Sequence, residues 1–288
     1  MSLLEVKNVS FTYSKNSTLK KAAVKNISFS ADKGDIIGVI GHTGSGKSTL
    51  MQMLNGLIKP DSGNVYFNGT DIWERPKEIS KFRYKIGLVF QYPEYQLFEE
   101  TVFKDVAYGP TNMGLTDKEI DERVRNSVNR VGLSEEYLNK SPFDLSGGEK
   151  RRAAIAGIIA MQPEVLVLDE PTAGLDPSGR ENLLNMILEY RSLTNAAVII
   201  VSHSMEDLAK IADKLLVLNN GEAAMFDSLQ NVFSKSEELL KMGLDVPQIT
   251  RIVLELKKQG LLDCPNVFTV EDAERVILEA LGGGARNA

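Results

Sequence analysis

Residues 36–57 read IIGVIGHTGSGKSTLMQMLNGL. Ile36 to Ile40 is a short apolar run of strand length, and from Ser48 onward Leu50, Met51, Leu54 and Leu57 recur at helical spacing. The stretch is therefore strand, loop, helix. Its loop, Gly41, His42, Thr43, Gly44, Ser45, Gly46, Lys47 and Ser48, fits the pattern Gly, four residues, Gly, Lys, Ser or Thr. Glycines there let successive backbone N–H groups turn inward around a phosphate, and the start of the helix adds partial positive charge. Lys47 is expected to reach the β and γ phosphates of a bound nucleotide, and the Ser48 hydroxyl to ligate Mg²⁺. Gly41 through Thr49 form the candidate ATP-binding stretch. His42 is given no catalytic role.

Outward from this loop the chain continues to look like an α/β protein. Upstream, Leu4, Val6, Val9, Phe11 and Tyr13, then Val24, Ile27 and Phe29, alternate with polar neighbours, which predicts antiparallel strands. Downstream, Ile86 to Phe90, Val165 to Leu168, Ala196 to Val201 and Leu215 to Leu218 are short apolar runs of the kind a parallel sheet buries on both faces. Between the first and second of these lies a helical insert, Thr116 to Arg130 and Gly148 to Met161. After about Gly221 the pattern changes: a helical stripe over Pro247 to Leu262 carries Ile249, Ile252, Val253 and Leu256, and Thr269 with Asp272 starts a further helix. The tail from Gly282 is expected to fray.

The run Val165 to Leu168 ends in Asp169 and Glu170, two carboxylates at the C-terminal end of a buried strand, where α/β sheets bind ligands. Neighbouring side chains on a strand point to opposite faces, so unlike roles are expected: Asp169 toward Mg²⁺, Glu170 as general base for an attacking water. Leu145, Ser146, Gly147, Gly148 and Glu149 leave two readings open. Ser146 and Glu149 form a capping box for the following helix. Two glycines in a first helical turn are not explained by capping, because each costs up to about 1 kcal/mol relative to Ala; they suit bare N–H groups that must touch an anion.

Composition narrows the function class. The 288 residues carry 33 basic and 39 acidic side chains, a net charge of −6, with 25% charged and 43% hydrophobic residues, ordinary for a globular chain. Such a balance supplies no polybasic field for nucleic acid or anionic lipid. Cys264 stands alone, which excludes an internal disulfide and fits a reducing compartment. The longest run of apolar and small residues, Ala153 to Met161, falls far short of the roughly 18 needed to cross a bilayer, so any membrane role must be borrowed from a partner. Met1 to Ser10 has no secretory-signal pattern.

Taken together these residues resemble the ATP-binding-cassette (ABC) ATPases over roughly residues 3–225. The resemblance rests on the phosphate loop, Gln91 after a strand, Leu145 to Glu149 at the place of the family signature, Asp169 and Glu170, the turn Gly174 to Pro177, and His203. It implies a P-loop NTPase fold, with a RecA-like core, an antiparallel β-subdomain and a helical signature subdomain over about 92–162. It further implies a head-to-tail dimer that buries ATP between one chain's phosphate loop and the other's signature. Tyr13 is then the aromatic stacked on adenine, Gln91 the contact to Mg²⁺ and water, and His203 the γ-phosphate switch. Glu149 stands where Gln is commoner, a departure that leaves the Ser146, Gly147 and Gly148 contacts intact.

Residues 90–102, FQYPEYQLFEETV, are similar more narrowly to ATPases of energy-coupling-factor (ECF) transporters, particularly the second of their two ATPase types, as are Glu164 to Arg180 and the C-terminal extension. The implied function is ATP hydrolysis that drives import of a vitamin or transition-metal ion, at the cytoplasmic face of the cell membrane. The implied partners are a second ATPase, a homologous first-type subunit or a second copy, together with a membrane scaffold (T component) and a substrate-binding membrane protein (S component). Tyr95, Leu97 and Phe98 supply the apolar grip for the scaffold's coupling helix, and Glu94, Glu99 and Glu100 could pair with its basic residues. A cassette over 1–221 and an extension over 222–288 that holds the dimer complete the expectation. The alternatives are an ABC ATPase of DNA repair or translation, a non-catalytic regulatory module, and a GTPase or small-molecule kinase. The first lacks its long coiled coil or fused second cassette, the second its degenerate site, and the third its Asn-Lys-x-Asp segment.

Overall fold

The run Ile36 to Ile40 becomes a fully buried strand at the heart of the molecule because both of its faces are covered. A computed structural model describes residues 2–14, 21–262 and 267–284, with side chains to residue 280; Cys264 lies outside these residues. In chain order the elements begin with β1 (Leu4–Tyr13), β2 (Lys21–Ala31), β3 (Ile36–Ile40), α1 (Lys47–Leu54), β4 (Ser62–Phe67) and β5 (Thr70–Asp71). They continue with α2 (Ile79–Lys85), β6 (Ile86–Val89), α3 (Val102–Asn112), α4 (Asp117–Arg130), α5 (Gly147–Ile159), β7 (Val165–Asp169), α6 (Pro177–Thr194) and β8 (Ala197–Val201). Last come α7 (Met205–Ile211), β9 (Lys214–Asn219), β10 (Glu222–Ser228), α8 (Leu229–Ser234), α9 (Ser236–Lys241), α10 (Gln248–Lys258) and α11 (Val270–Gly284).

Two sheets divide the strands. β2-β1-β4-β5 is antiparallel throughout, with Val6 opposite Phe29 on one side and Val65 on the other. The second sheet runs β10-β9-β3-β8-β7-β6, parallel except for β10 at its edge. The strand period of two sorts its side chains. Ile37, Val39, Val165, Val167, Ile199 and Val201 join a core shared with the antiparallel sheet and with Leu50, Met51 and Leu54 of α1. Ile36, Ile40, Leu166, Leu168, Val198 and Ile200 face the other way, into a core closed by α3 to α6. The fold class is the one expected from the sequence, a mixed α/β P-loop architecture.

Three differences from expectation are informative. The helix α3 has weak local propensity, with Gly109, Pro110 and Thr111 near its end; it forms because Thr101 caps it and Val102, Val106, Ala107 and Pro110 bury one face. The expected cassette boundary at residue 221 falls inside a hairpin. Asn220 and Gly221 both have positive φ (51° and 85°), the geometry of a two-residue turn between paired strands, and β10 returns along β9 to finish the sheet. Leu229, Val232, Phe233, Leu239, Leu244 and Val246 then pack into the main core, so the change of packing comes near residue 247, after which α10 and α11 share a small core of their own around Val253, Leu262, Val267 and Ala273. Finally, α11 runs through Gly284, so the first residues of the expected loose tail are helical.

Candidate functional site

The loop between β3 and α1 can turn only because glycine occupies its tight points. Gly44 and Gly46 take φ of 82° and 101°, and a Cβ on Gly46 would lie 2.2 Å from the Ala23 carbonyl. A Cβ on Gly41 would lie 2.5 Å from both the Leu218 carbonyl and the Ser45 hydroxyl. Inside this turn the Lys47 ammonium donates to the carbonyls of Gly41 (2.6 Å) and His42 (3.2 Å). Burial pulls Lys47 below the ordinary lysine range, and the nearby carboxylates of Glu170 and Asp169 oppose that pull. An anion offered to the loop would meet a lysine held at the bottom of a ring of backbone.

Asp169 closes β7 on the face that meets α1, where the Ser48 hydroxyl hydrogen-bonds its carboxylate. Burial pushes Asp169 up from the ordinary carboxylate range, against the lowering effect of Ser48 and Lys47. Its Oδ1 is buried with no hydrogen-bond partner. An orphaned carboxylate oxygen beside a serine hydroxyl fits a hard cation that takes oxygen ligands, so the residues here fit Mg²⁺.

Glu170 turns the other way. Its φ is +50°, a strained value for a residue with a side chain, and its N–H donates to the Val201 carbonyl at the end of β8 (3.1 Å). The strain is of order 1 kcal/mol. It presents the carboxylate to two donors at once: Gln91 Nε2 at 2.8 Å on one oxygen, His203 Nε2 at 2.9 Å on the other. Three residues from the ends of three parallel strands, β6, β7 and β8, thus meet at one point.

These groups line a single open cavity of about 280 Å³ together with Tyr13, Thr43, Gly44, Gly46, Ser48 and Thr49. Tyr13, 42% exposed, has its hydroxyl 3.2 Å from Thr49 Oγ1 and its ring edge-on to Phe11. His42 is not in the cavity wall; its Nδ1 lies 2.9 Å from the Thr43 carbonyl, and only its backbone serves the loop. Lys21, at the start of β2, does line the cavity, above Gly44. Sequence reading missed it because a lone lysine on a neighbouring strand carries no local signal.

The residues 145–149 are not brought to this cavity. Ser146 caps α5, its hydroxyl and backbone N–H both donating to the Glu149 carboxylate (2.7 and 2.8 Å), so the capping-box reading is realised. Both glycines nevertheless lack an internal reason. A Cβ on Gly147 would meet nothing within 4 Å, and one on Gly148 only the end of Arg152 at 3.7 Å. Among the described residues nothing packs closely where either Cβ would stand.

Between β6 and α3 the segment after Gln91 forms a short 3₁₀ turn, Pro93–Gln96. Tyr95 and Phe98 are 85% and 58% exposed, whereas Leu97 is buried in the core. The expected grip is therefore split: Leu97 makes the floor of a groove of about 300 Å³, whose walls include Phe98, Tyr84, Tyr108, Gly109 and Met161. Of the three acidic residues expected to face a partner, Glu94 is already paired inside the molecule with Arg151 and Glu100 with Lys104.

A family model described as ABC transporter matches residues 24–173. The energy-coupling factor transporter ATP-binding protein EcfA2 of Caldanaerobacter subterraneus subsp. tengcongensis is 52% identical over 280 residues, 97% of this chain and 98% of its own. That of Clostridium perfringens is 49% identical over 279 residues, 96% and 98% of the two chains. Among solved structures, cbiO1 of Clostridium perfringens, part of the ABC transporter complex cbiONQ, superposes with a TM-score of 0.74 at 35% identity over 90% of this chain and 97% of its own. The dimeric cassette MJ0796 bound to ADP and Pi superposes with a TM-score of 0.71 at 28% identity, over 78% and 98%.

Proposed function

The chain belongs to the ABC transporter family of ATPases, and from that premise we propose that it is the ATP-binding, ATP-hydrolysing subunit of an energy-coupling-factor importer. The observation that carries the catalytic half is the meeting of Gln91, Glu170 and His203 beside Lys47 in one cavity. The phosphate-loop amides and Lys47 hold the β and γ phosphates, with Tyr13 at the adenine end and Lys21 above Gly44. Glu170 takes a proton from the attacking water, held in place by the amide of Gln91 and by His203, which also senses the γ phosphate. Ser48, Asp169 and Gln91 would hold Mg²⁺, which supplies neutralisation of the phosphate oxygens.

One chain leaves the site incomplete. Exposed Gly147 and Gly148, with Ser146, suit a contact to ATP bound on a second cassette, which the existence of dimeric relatives supports. We assign that second cassette to a homologous first-type subunit, with a second copy of this chain serving in isolation. ATP then bridges the pair; hydrolysis and phosphate release remove the bridge and the carboxylates that remain favour opening. Among the described residues no helix is long and apolar enough to cross a membrane. The stroke therefore passes through protein contact: the groove floored by Leu97 takes a helix of a membrane scaffold, the T component, which acts with a substrate-binding S component from the cytoplasmic face.

Because Leu97 is buried, the docking test belongs to Phe98 in the groove wall and to Tyr95, exposed in the same segment. Tyr95→Ser with Phe98→Ser should abolish copurification of membrane proteins with the chain from detergent extracts and the rise in ATPase rate they give, while ATP affinity stays within about twofold. Unchanged recruitment in that variant removes the docking role from this groove. Copurification of no membrane protein by the unmodified chain overturns the transporter reading.

A further inference from the structure

Arg151 stands two residues beyond the first turn's Glu149 on α5 and is only 5% exposed. Its guanidinium donates to two separate segments outside its own helix. Nε and Nη2 donate to the two carboxylate oxygens of Glu94, both at 3.0 Å, a two-point pairing that fixes orientation as well as charge. Nη1 donates to the carbonyls of Ala173 (2.7 Å) and Pro171 (3.3 Å), which follow Glu170 directly in the chain. The ring of Tyr92 lies 5.9 Å from the guanidinium carbon. Glu94 is itself largely buried, at 17% side-chain exposure.

A buried arginine and carboxylate are expensive to keep out of water, and well-packed apolar residues would serve stability as well or better. The fork is instead placed where it can report position. It ties together the segment after Gln91, the helix that begins at Ser146, and the loop that leaves Glu170. We propose that Arg151, with Glu94, is the positioning pair through which the state of the ATP site sets the position of residues 94–98, and the reverse. When the 171–173 loop moves with nucleotide, Arg151 carries the movement to Glu94 and to α5 together. Gln91 gives a shorter path from Glu170, but Tyr92, at φ +55°, breaks the backbone direction between Gln91 and Glu94. Lysine could not replace Arg151, since a single ammonium cannot hold a carboxylate at two points and two carbonyls as well. The pair deepens the transport reading, on which it rests for what lies beyond residues 94–98; the link itself does not depend on it.

Hydrogen–deuterium exchange on the full chain, with and without a non-hydrolysable ATP analogue and Mg²⁺, tests the link without any membrane partner. In the unmodified chain the analogue should slow exchange both at residues 41–48 and at 94–98. In the double variant Glu94→Gln with Arg151→Met, which leaves no unpaired buried charge, the slowing at 41–48 should persist while that at 94–98 shrinks at least about fivefold, the lower end of ordinary site-to-site coupling. If residues 94–98 respond equally in the double variant, or do not respond in the unmodified chain, the proposal is overturned. Glu94→Gln alone should give an intermediate response and serves if the double variant does not fold. The charge swap Glu94→Arg with Arg151→Glu restores a pair but offers no donor to the 171 and 173 carbonyls. Its response at 94–98 should stay lost; full recovery would show that the pair alone suffices and would overturn the three-way connection. Failure of the chain to recruit membrane proteins would sink the transporter reading and leave the exchange result standing.

Discussion

Glu170 is where residue chemistry and backbone strain meet. Held at φ +50° between the donors of Gln91 and His203, its carboxylate cannot rotate away without losing one of them. Glu170→Gln keeps the shape and one accepting oxygen but removes the base. Hydrolysis should fall by about 100- to 10,000-fold, the ordinary worth of a positioned general base, while ATP binding persists because Lys47 and the loop amides are untouched. A phosphate-release assay with a parallel binding titration checks both halves; normal turnover would exclude Glu170 as base. Which residues would meet was legible at this scale: Lys47, Ser48, Asp169 and Glu170 come at or just after the C-terminal ends of β3 and β7, strands that the apolar runs mark clearly. The geometry of their meeting was not. No sequence pattern announces that Glu170 takes positive φ, or that Lys21 reaches the same cavity from another strand, because both follow from how β7 and β2 are paired rather than from their own composition.

The element scale shows a sequence signal serving two purposes. The Ser146–Glu149 box satisfies the start of α5, and its hydrogen bonds hold the Glu149 carboxyl at about 2, with Ser146 the main cause. An acid with a folded value below its unfolded 4.5 contributes stability that is complete above 4.5 and is lost as the pH falls toward 2. A carbon-detected NMR titration should therefore find Glu149 still ionised well below pH 4.5, and Ser146→Ala should return it toward 4.5. That variant should also lose about 1 kcal/mol of helix stability. An ordinary carboxylate titration in the unmodified chain would contradict the box. The two glycines that follow were ambiguous in the sequence and stay unexplained by internal packing, which is why they speak for an outside partner. By contrast α3 was invisible beforehand, since Gly109 and Pro110 read as breakers; burial of Val102, Val106 and Ala107 against α5 outweighs that local preference. The same burial turned Leu97 from a supposed surface grip into the floor of the groove.

For the whole molecule, the position of the true break matters. Cutting after Gly221, where the sequence pattern changes, would strip β10 from the sheet and Phe233, Leu239 and Val246 from the main core. Cutting after Pro247 removes α10 and α11, whose contacts with the rest include Phe268 against Phe233, rings 5.7 Å apart, the Gln248 N–H on Glu206 at 3.1 Å and the ion pair of Arg251 with Asp245. These two helices leave Ile252, Val270 and Leu278 more than half exposed, with Leu261 just beyond α10 at 68%. We assign these exposed side chains to a contact with the homologous ATPase proposed above. The chain ending at Pro247 should still fold and should bind ATP as before. Its nucleotide-free dimerisation, with the partner ATPase or with itself, should weaken at least about tenfold, because the face we assign to that contact is gone. Sedimentation equilibrium without nucleotide measures the change: an unaltered dimer constant would make α10 and α11 a local cover, and a collapse of ATP binding would mean that they support the cassette itself.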